Sequence, residues 1–244
     1  MKRIIALLLA LTMLFALCAC GKTEEEIRGA VTAISEEPKA EEAAPSETEE
    51  TTAESTEEAP IEDVEVKLGL VEGGRYESEF LGIGCELDEN WAYASIEEMA
   101  QIMGMTTEVF AETDYAESIK SAEMFYDMYA ARADGLGSIN ILLQNMGLLY
   151  GAVISEEQYV DLSTESLSSQ LESAGFANVE WERVELDFAG ESRPGLKISS
   201  EIEGVPYYCT QVYIKSGSHI AVITLATYFE DTTESMADYF FAVE

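Results

Sequence analysis

Apolar residues fall along the chain in three textures. Residues 4–17 form an apolar run broken only by Thr12. Residues 23–65 hold few apolar positions and no period, and no aromatic at all. From Tyr76 onward apolar positions recur with the spacings of strands and helices.

Within that last stretch the pattern predicts named elements. Ile83, Cys85 and Leu87 alternate with polar or small neighbours, as in a strand over 82–87 closed by Asp88-Glu89-Asn90. Ser95-Ile96-Glu97-Glu98 is a capping box, in which Ser95 and Glu98 satisfy each other's backbone N–H groups, and it opens a helix to about Met103. A second helical stretch follows over 107–121. Strands over 123–132 and 138–146 flank Asp134-Gly135, a hairpin signal. Ser155-Glu156-Glu157-Gln158 is another capping box, and its helix carries Tyr159, Leu162, Leu167, Leu171 and Ala174 on one face before Gly175 ends it. Four strands follow, over 178–188, 195–203, 206–215 and 219–228. Turns over 190–195, 204–206 and 216–218 separate them, and a last helix over 233–241 presents Met236, Tyr239 and Phe240.

The run Ile220-Ala221-Val222-Ile223-Thr224-Leu225-Ala226 barely alternates, so both faces of its sheet must be covered. Helices before, between and after the strands supply two layers. The expected class is α+β, an α/β/α sandwich around a mainly antiparallel sheet. Three regions result: 1–19, an export signal; 20–75, a tether; and 76–244, one folded domain of ordinary size.

Composition sharpens the middle region. Residues 23–65 carry 16 acids and two bases, Arg28 and Lys39, with Pro38, Pro45 and Pro60 among Ala, Thr and Ser. Such a segment buries too little apolar surface to offset chain entropy and is expected to be a disordered acidic linker. As a flexible coil, 21–75 spans about 40 Å. The whole chain has 13 Lys+Arg against 48 Asp+Glu, a formal charge of −35. Residues 66–244 alone carry −24, so the domain is acidic in its own right. That charge excludes nucleic-acid binding and any electrostatic attachment to anionic lipid.

Met1-Lys2-Arg3 is a short basic start, and the apolar run after it is too short to span a bilayer but suits a secretory signal. It ends Leu17-Cys18-Ala19-Cys20-Gly21, which resembles the bacterial lipobox: an aliphatic residue at −3, a small one at −1, and the lipidated cysteine. The resemblance implies a diacylglycerol on Cys20 and cleavage before it. Cys18 would need Leu17 at −1, so it fits less well. Acyl chains contribute about 0.8 kcal/mol per buried CH₂ and hold a protein on a membrane without any basic patch.

Tyr76-Glu77-Ser78-Glu79-Phe80-Leu81-Gly82-Ile83, then Leu87-Asp88-Glu89-Asn90-Trp91, resembles the opening of PsbP-like domains of bacterial lipoproteins. Asp88 stands where that family usually has Pro. The order of hairpin, capped helix, meander and terminal helix is similar too. The resemblance implies an α/β/α fold and a mostly non-catalytic binding or assembly role, and it brings no site motif.

Searches for catalytic chemistry return little. His219, the one histidine, begins a strand and reads as a strand-edge hydrogen-bonded residue. No G-x-S-x-G, S-x-x-K, Walker A or G-x-G-x-x-G motif occurs. Gly82-Ile83-Gly84 and Gly135-Leu136-Gly137 read as turns or bulges, and Asp88-Glu89-Asn90 as a turn rather than a calcium loop. Cys85 and Cys209 lie on apolar strand patterns, as buried thiols or as a disulfide. Tyr126, Tyr129, Tyr159, Tyr207, Tyr208, Tyr213 and Tyr239 are either structural or part of a binding surface.

The expectation is a lipid-anchored protein on the extracytoplasmic face of a bacterial membrane. Its non-catalytic domain binds an envelope protein or small ligand. No cofactor, metal or catalytic residue is expected. The alternatives are a small envelope hydrolase using carboxylates, or a purely structural spacer.

Overall fold

The computed structural model describes residues 66–103 and 122–243. The signal, most of the tether, Cys20 and the helix expected over 107–121 lie outside the described residues. Among those described, the fold is mixed α and β, with every strand pairing antiparallel.

The chain begins with β1 (Leu70–Glu72), β2 (Arg75–Ser78), β3 (Ile83–Glu86) and β4 (Trp91–Tyr93), then α1 (Ile96–Ile102). The hairpin strands β5 (Met124–Arg132) and β6 (Gly137–Asn145) follow, with α2 (Gly147–Val153), α3 (Glu156–Thr164) and α4 (Leu167–Ser173) after them. The meander β7 (Phe176–Phe188), β8 (Glu191–Ile202), β9 (Val205–Ser216) and β10 (His219–Tyr228) leads to α5 (Thr233–Ala237) and β11 (Phe240–Ala242).

The large sheet runs β4-β5-β6-β10-β9-β8-β7, and a small one runs β1-β2-β3-β11. Strand β10 sits inside the large sheet between β6 and β9, and all ten of its residues are buried. Ile220, Val222 and Ala226 join the core under α3 and α4, which supply Tyr159, Val160, Leu167 and Leu171. Ala221, Ile223 and Leu225 point the other way and join Tyr76, Ile83 and Phe240 of the small sheet. So among the described residues the helical layer expected on each face is present on one. The other is covered mainly by the four-stranded sheet, with Met236 and Ala237 of α5.

That difference has a local cause at the C-terminus. The helix expected over 233–241 stops at Ala237, and Phe240–Ala242 instead pair with β3, Phe240 opposite Cys85. Pairing lets Phe240 pack on Phe188 at 4.5 Å between ring centres, inside the core. The helix from Ser155 also breaks, between Thr164 and Leu167, although its capping box forms as expected. Ser95 and Glu98 form theirs too. Residues 66–75, placed in the tether by composition, belong partly to the fold. Val66 and Leu68 pack on the core, and β1 pairs with β2.

Cys85 and Cys209 are both buried as thiols and form no disulfide, and they lie in separate clusters on the two sides of the large sheet. This settles the choice left open by the sequence in favour of two thiols. Burial pushes the Cys85 thiol up to about 12, so the reactive thiolate is scarce at neutral pH. Iodoacetamide should therefore leave both sites unmodified in the native protein. In denaturant without reductant it should modify both, and mass spectrometry of the two peptides reads the result. A disulfide-linked pair of peptides would contradict the fold.

Candidate ligand cleft

A cleft of about 740 Å³ opens where β4, the β5–β6 turn and α5 meet, lined among others by Asp88, Asn90, Trp91, Arg132, Asp134 and Tyr239. Each wall is fixed by local hydrogen bonding. Asp88 Oδ1 accepts from the Asn90 N–H at 2.8 Å, and its backbone O accepts from the Trp91 N–H at 3.1 Å. This tight turn feeds β4 into the sheet with Trp91 paired to Arg132. On the facing turn Asp134 Oδ1 accepts the Leu136 N–H at 2.8 Å, and Gly135 takes a φ of +74°, which glycine adopts without strain. The chain leaves α5 so that the Tyr239 carbonyl accepts from the Glu86 N–H, and the Tyr239 ring stands edge-on to Trp91 at 6.1 Å.

Gly137 packs against Trp91 and Arg132. A Cβ there would sit 3.3 Å from the Trp91 ring and 3.5 Å from the Arg132 guanidinium carbon. The second glycine of Gly135-Leu136-Gly137 thus makes room for both side chains.

Arg132 is the distinctive group of the cleft. Its Nε donates to both oxygens of Asp134, at 2.9 and 3.1 Å, and its side chain is 26% exposed. That hydrogen bond holds the Asp134 carboxyl below its usual range. Neither terminal nitrogen of Arg132 has a hydrogen-bond partner among the described residues. By contrast Arg75 donates through Nε and Nη1 and lies over the Phe241 ring, Arg183 uses Nη2, and Arg193 uses both terminal nitrogens. A guanidinium pinned at Nε with its outer fork unsatisfied is set to receive a planar acceptor.

The candidates singled out from sequence distribute unevenly. Tyr239 and the Asp88-Glu89-Asn90 turn reach the cleft. Tyr126, Tyr129, Tyr159, Tyr207 and Tyr213 are buried in the interior, where Tyr159 donates to Gln144 at 2.5 Å and Tyr213 to Gln211 at 2.7 Å. Tyr208 is half-buried on β9. His219 is 7% exposed at the start of β10, edge-on to Phe80 at 5.8 Å, with Ser218 Oγ 3.3 Å from its Nδ1. Arg132 and Gly137 were not legible as site residues. Their meaning depends on the β4–β5 pairing, and no spacing in the chain announces that pairing.

One carboxyl is strongly perturbed, and it lies outside the cleft. Asp127 sits at the register shift between Tyr126 and Met128 in β5, 3% exposed. It accepts from Tyr76 Oη at 2.5 Å and from the Gly69 N–H at 2.8 Å. Burial without a cation pushes its pKa up to about 6, against the pull of those two donors. Among the described residues no group of three or more His, Cys, Asp or Glu is placed to hold a metal ion, and no helix is long and apolar enough to cross a membrane.

Fold and cleft together define an α+β protein of antiparallel sheets with one polar-aromatic cleft described. No family model matches the chain. No curated protein matches it significantly. Two solved structures are distantly similar. One is a Pseudomonas aeruginosa protein of unknown function, 16% identical, with a TM-score of 0.27 over 37% of this chain; the chain spans 58% of that protein's length. The other is LpqN, involved in cell envelope biogenesis of Mycobacterium tuberculosis, 11% identical, with a TM-score of 0.37 over 66% of this chain and 83% of LpqN.

Proposed function

We propose that this is a lipid-anchored, extracytoplasmic binding protein. The lipid on Cys20 and the acidic linker hold the folded domain off the membrane, and the cleft between β4 and α5 takes a small ligand. The lipobox-like Leu17-Cys18-Ala19-Cys20 run and the resemblance to PsbP-like domains support the anchor and the non-catalytic role. The observation that carries the binding reading is Arg132, a lining residue held by Asp134 beside Trp91 with two terminal nitrogens that have no partner among the described residues. Pinned, partly desolvated donors beside an aromatic face bind and orient a ligand.

Two experiments test this. Replacing Cys20 with Ala should move the protein from the membrane fraction to the soluble one, and retention with membranes would overturn the anchor. For the cleft, Trp181→Phe leaves Trp91 as the tryptophan reporter in the full chain held in detergent. Adding the low-molecular-mass fraction of a bacterial envelope digest should shift Trp91 emission, and Ser235→Arg, which puts a long cationic side chain into the cleft lining, should weaken the shift. Emission unmoved by the fraction in the protein without that substitution overturns the binding reading.

A further inference from the structure

The charges of the cleft narrow its ligand, an inference that rests on the binding reading above. The domain is strongly acidic, and the cleft contains Asp88 and Asp134 beside Arg132. The charge of Asp134 is matched by the Arg132 Nε contact. Asp88 forms no ion pair among the described residues; one of its oxygens caps its own turn and the other is left for a donor. A simple anion would therefore meet Arg132 but be repelled by Asp88 and the surrounding field. A simple cation would meet Asp88 but leave the open fork of Arg132 without an acceptor. A neutral polyol would leave Asp88 without a cation and offers the open fork of Arg132 no matching pair of charged acceptor oxygens.

We infer that the cleft binds a short zwitterionic peptide, its terminal carboxylate on the open fork of Arg132 and its terminal ammonium facing Asp88. A guanidinium fork matches the two oxygens of a carboxylate in one plane. Asp88 lies in the turn before β4 and Arg132 at the end of β5, so the ligand must carry its charges apart. Two or three extended residues separate their termini by up to about 7–11 Å. Trp91, Met236 and Tyr239 offer the side chains of such a peptide an apolar wall. A volume of about 740 Å³ lies within the range of pockets that enclose a small organic ligand.

The test uses the full chain with Trp181→Phe, in detergent, titrated with four probes while Trp91 emission is read. The probes are trialanine, N-acetyl-trialanine, trialanine amide and maltotriose. Trialanine should bind, and blocking either terminus should weaken it about tenfold or more. Arg132→Lys keeps the charge but loses the fork, and should weaken trialanine about tenfold at an unchanged melting temperature. Asp88→Asn should erase the preference for trialanine over its N-acetyl form.

The inference is overturned if trialanine does not bind, if either blocked form binds as well as trialanine, or if Arg132→Lys leaves its affinity unchanged. Maltotriose binding in place of trialanine would overturn the peptide class while leaving the cleft as a binding site. Silence of Trp91 toward every probe and toward the envelope fraction would remove both.

Discussion

Asp127→Asn should make the domain more stable than the unsubstituted protein at pH 7 and no more stable at pH 4. The carboxyl is almost fully buried, and its partners are the Tyr76 hydroxyl and the Gly69 N–H. From the elements packed against it come Tyr76 on β2, the Gly69 backbone and, behind Tyr76, the Cys85 thiol on β3; no charged group is among them. Its pKa is raised from the usual 3.8 to about 6. The folded state therefore holds the proton more tightly than the unfolded chain. Well below pH 4 both states are protonated and Asp127 carries no penalty. Between pH 4 and 6 the unfolded chain ionises first, so stability falls as pH rises. Above pH 6 the loss is complete, at about 3 kcal/mol for a shift of this size. That is a large part of the 5–15 kcal/mol that holds a typical domain.

An asparagine can still accept from the Gly69 N–H, and it does not ionise. It loses an acceptor for Tyr76 Oη, which costs about 1 kcal/mol at every pH. The difference in unfolding free energy between the two proteins, from urea titrations at pH 4, 5, 6 and 7, should then swing by about 2–2.5 kcal/mol toward the variant. All other carboxylates cancel in that difference. A flat difference across the range would show that Asp127 is not the buried acid the geometry makes it. Asp127→Ala is the harsher change. It strands a buried hydroxyl and a buried N–H, and should cost about 2–5 kcal/mol at pH 4, where the folded carboxyl is protonated.

Asp127 also shows what could be read from the chain and what could not. The strand that carries it was legible from its apolar run, as were both capping boxes, the hairpin at Asp134-Gly135 and the four-strand meander. These signals are local: each needs residues within a few positions of one another. The burial of Asp127 is not local. It follows from a register shift in β5 and from Tyr76, 51 residues earlier, arriving on a second sheet. The small sheet itself went unread because β1, β2 and β11 are three or four residues long. Strands that short exist by virtue of their partners rather than their composition. Arg132 escaped notice for the same reason: its guanidinium is unremarkable until β4 sets Trp91 beside it.

The second large effect is expected at Gly195. Its neighbourhood, with Gly190 and Pro194, reads in sequence as one long turn over 190–195. The reversal is instead made by Ala189 and Gly190 alone, with φ of 52° and 84°, the two-residue hairpin geometry whose twist matches that of the strands. Strand β8 has already begun at Glu191. Pro194 is tolerated because its partner is Glu185 of β7, and pairing with β9 starts only at Gly195 opposite Val212. Gly195 is thus an interior strand residue, and the reason for glycine is contact rather than φ. A Cβ there would lie 2.6 Å from the Gln211 carbonyl oxygen and 2.6 Å from Leu186 Cδ1. The leucine methyl can swing aside, but the carbonyl belongs to β9, which is paired along both edges. Gly195→Ala should therefore cost about 2–3 kcal/mol, at the upper end of the cost of overpacking. For a domain of this size that lowers the melting temperature by roughly 5–10 °C. Gly190→Ala is the control. Nothing lies within 4 Å of a Cβ at that position, so only the left-handed backbone resists, at about 1 kcal/mol. Scanning calorimetry of the two variants decides the matter. If Gly190→Ala proves the more damaging, backbone conformation rather than strand-to-strand contact sets the cost, and the close approach at Gly195 is not what shapes this edge of the sheet.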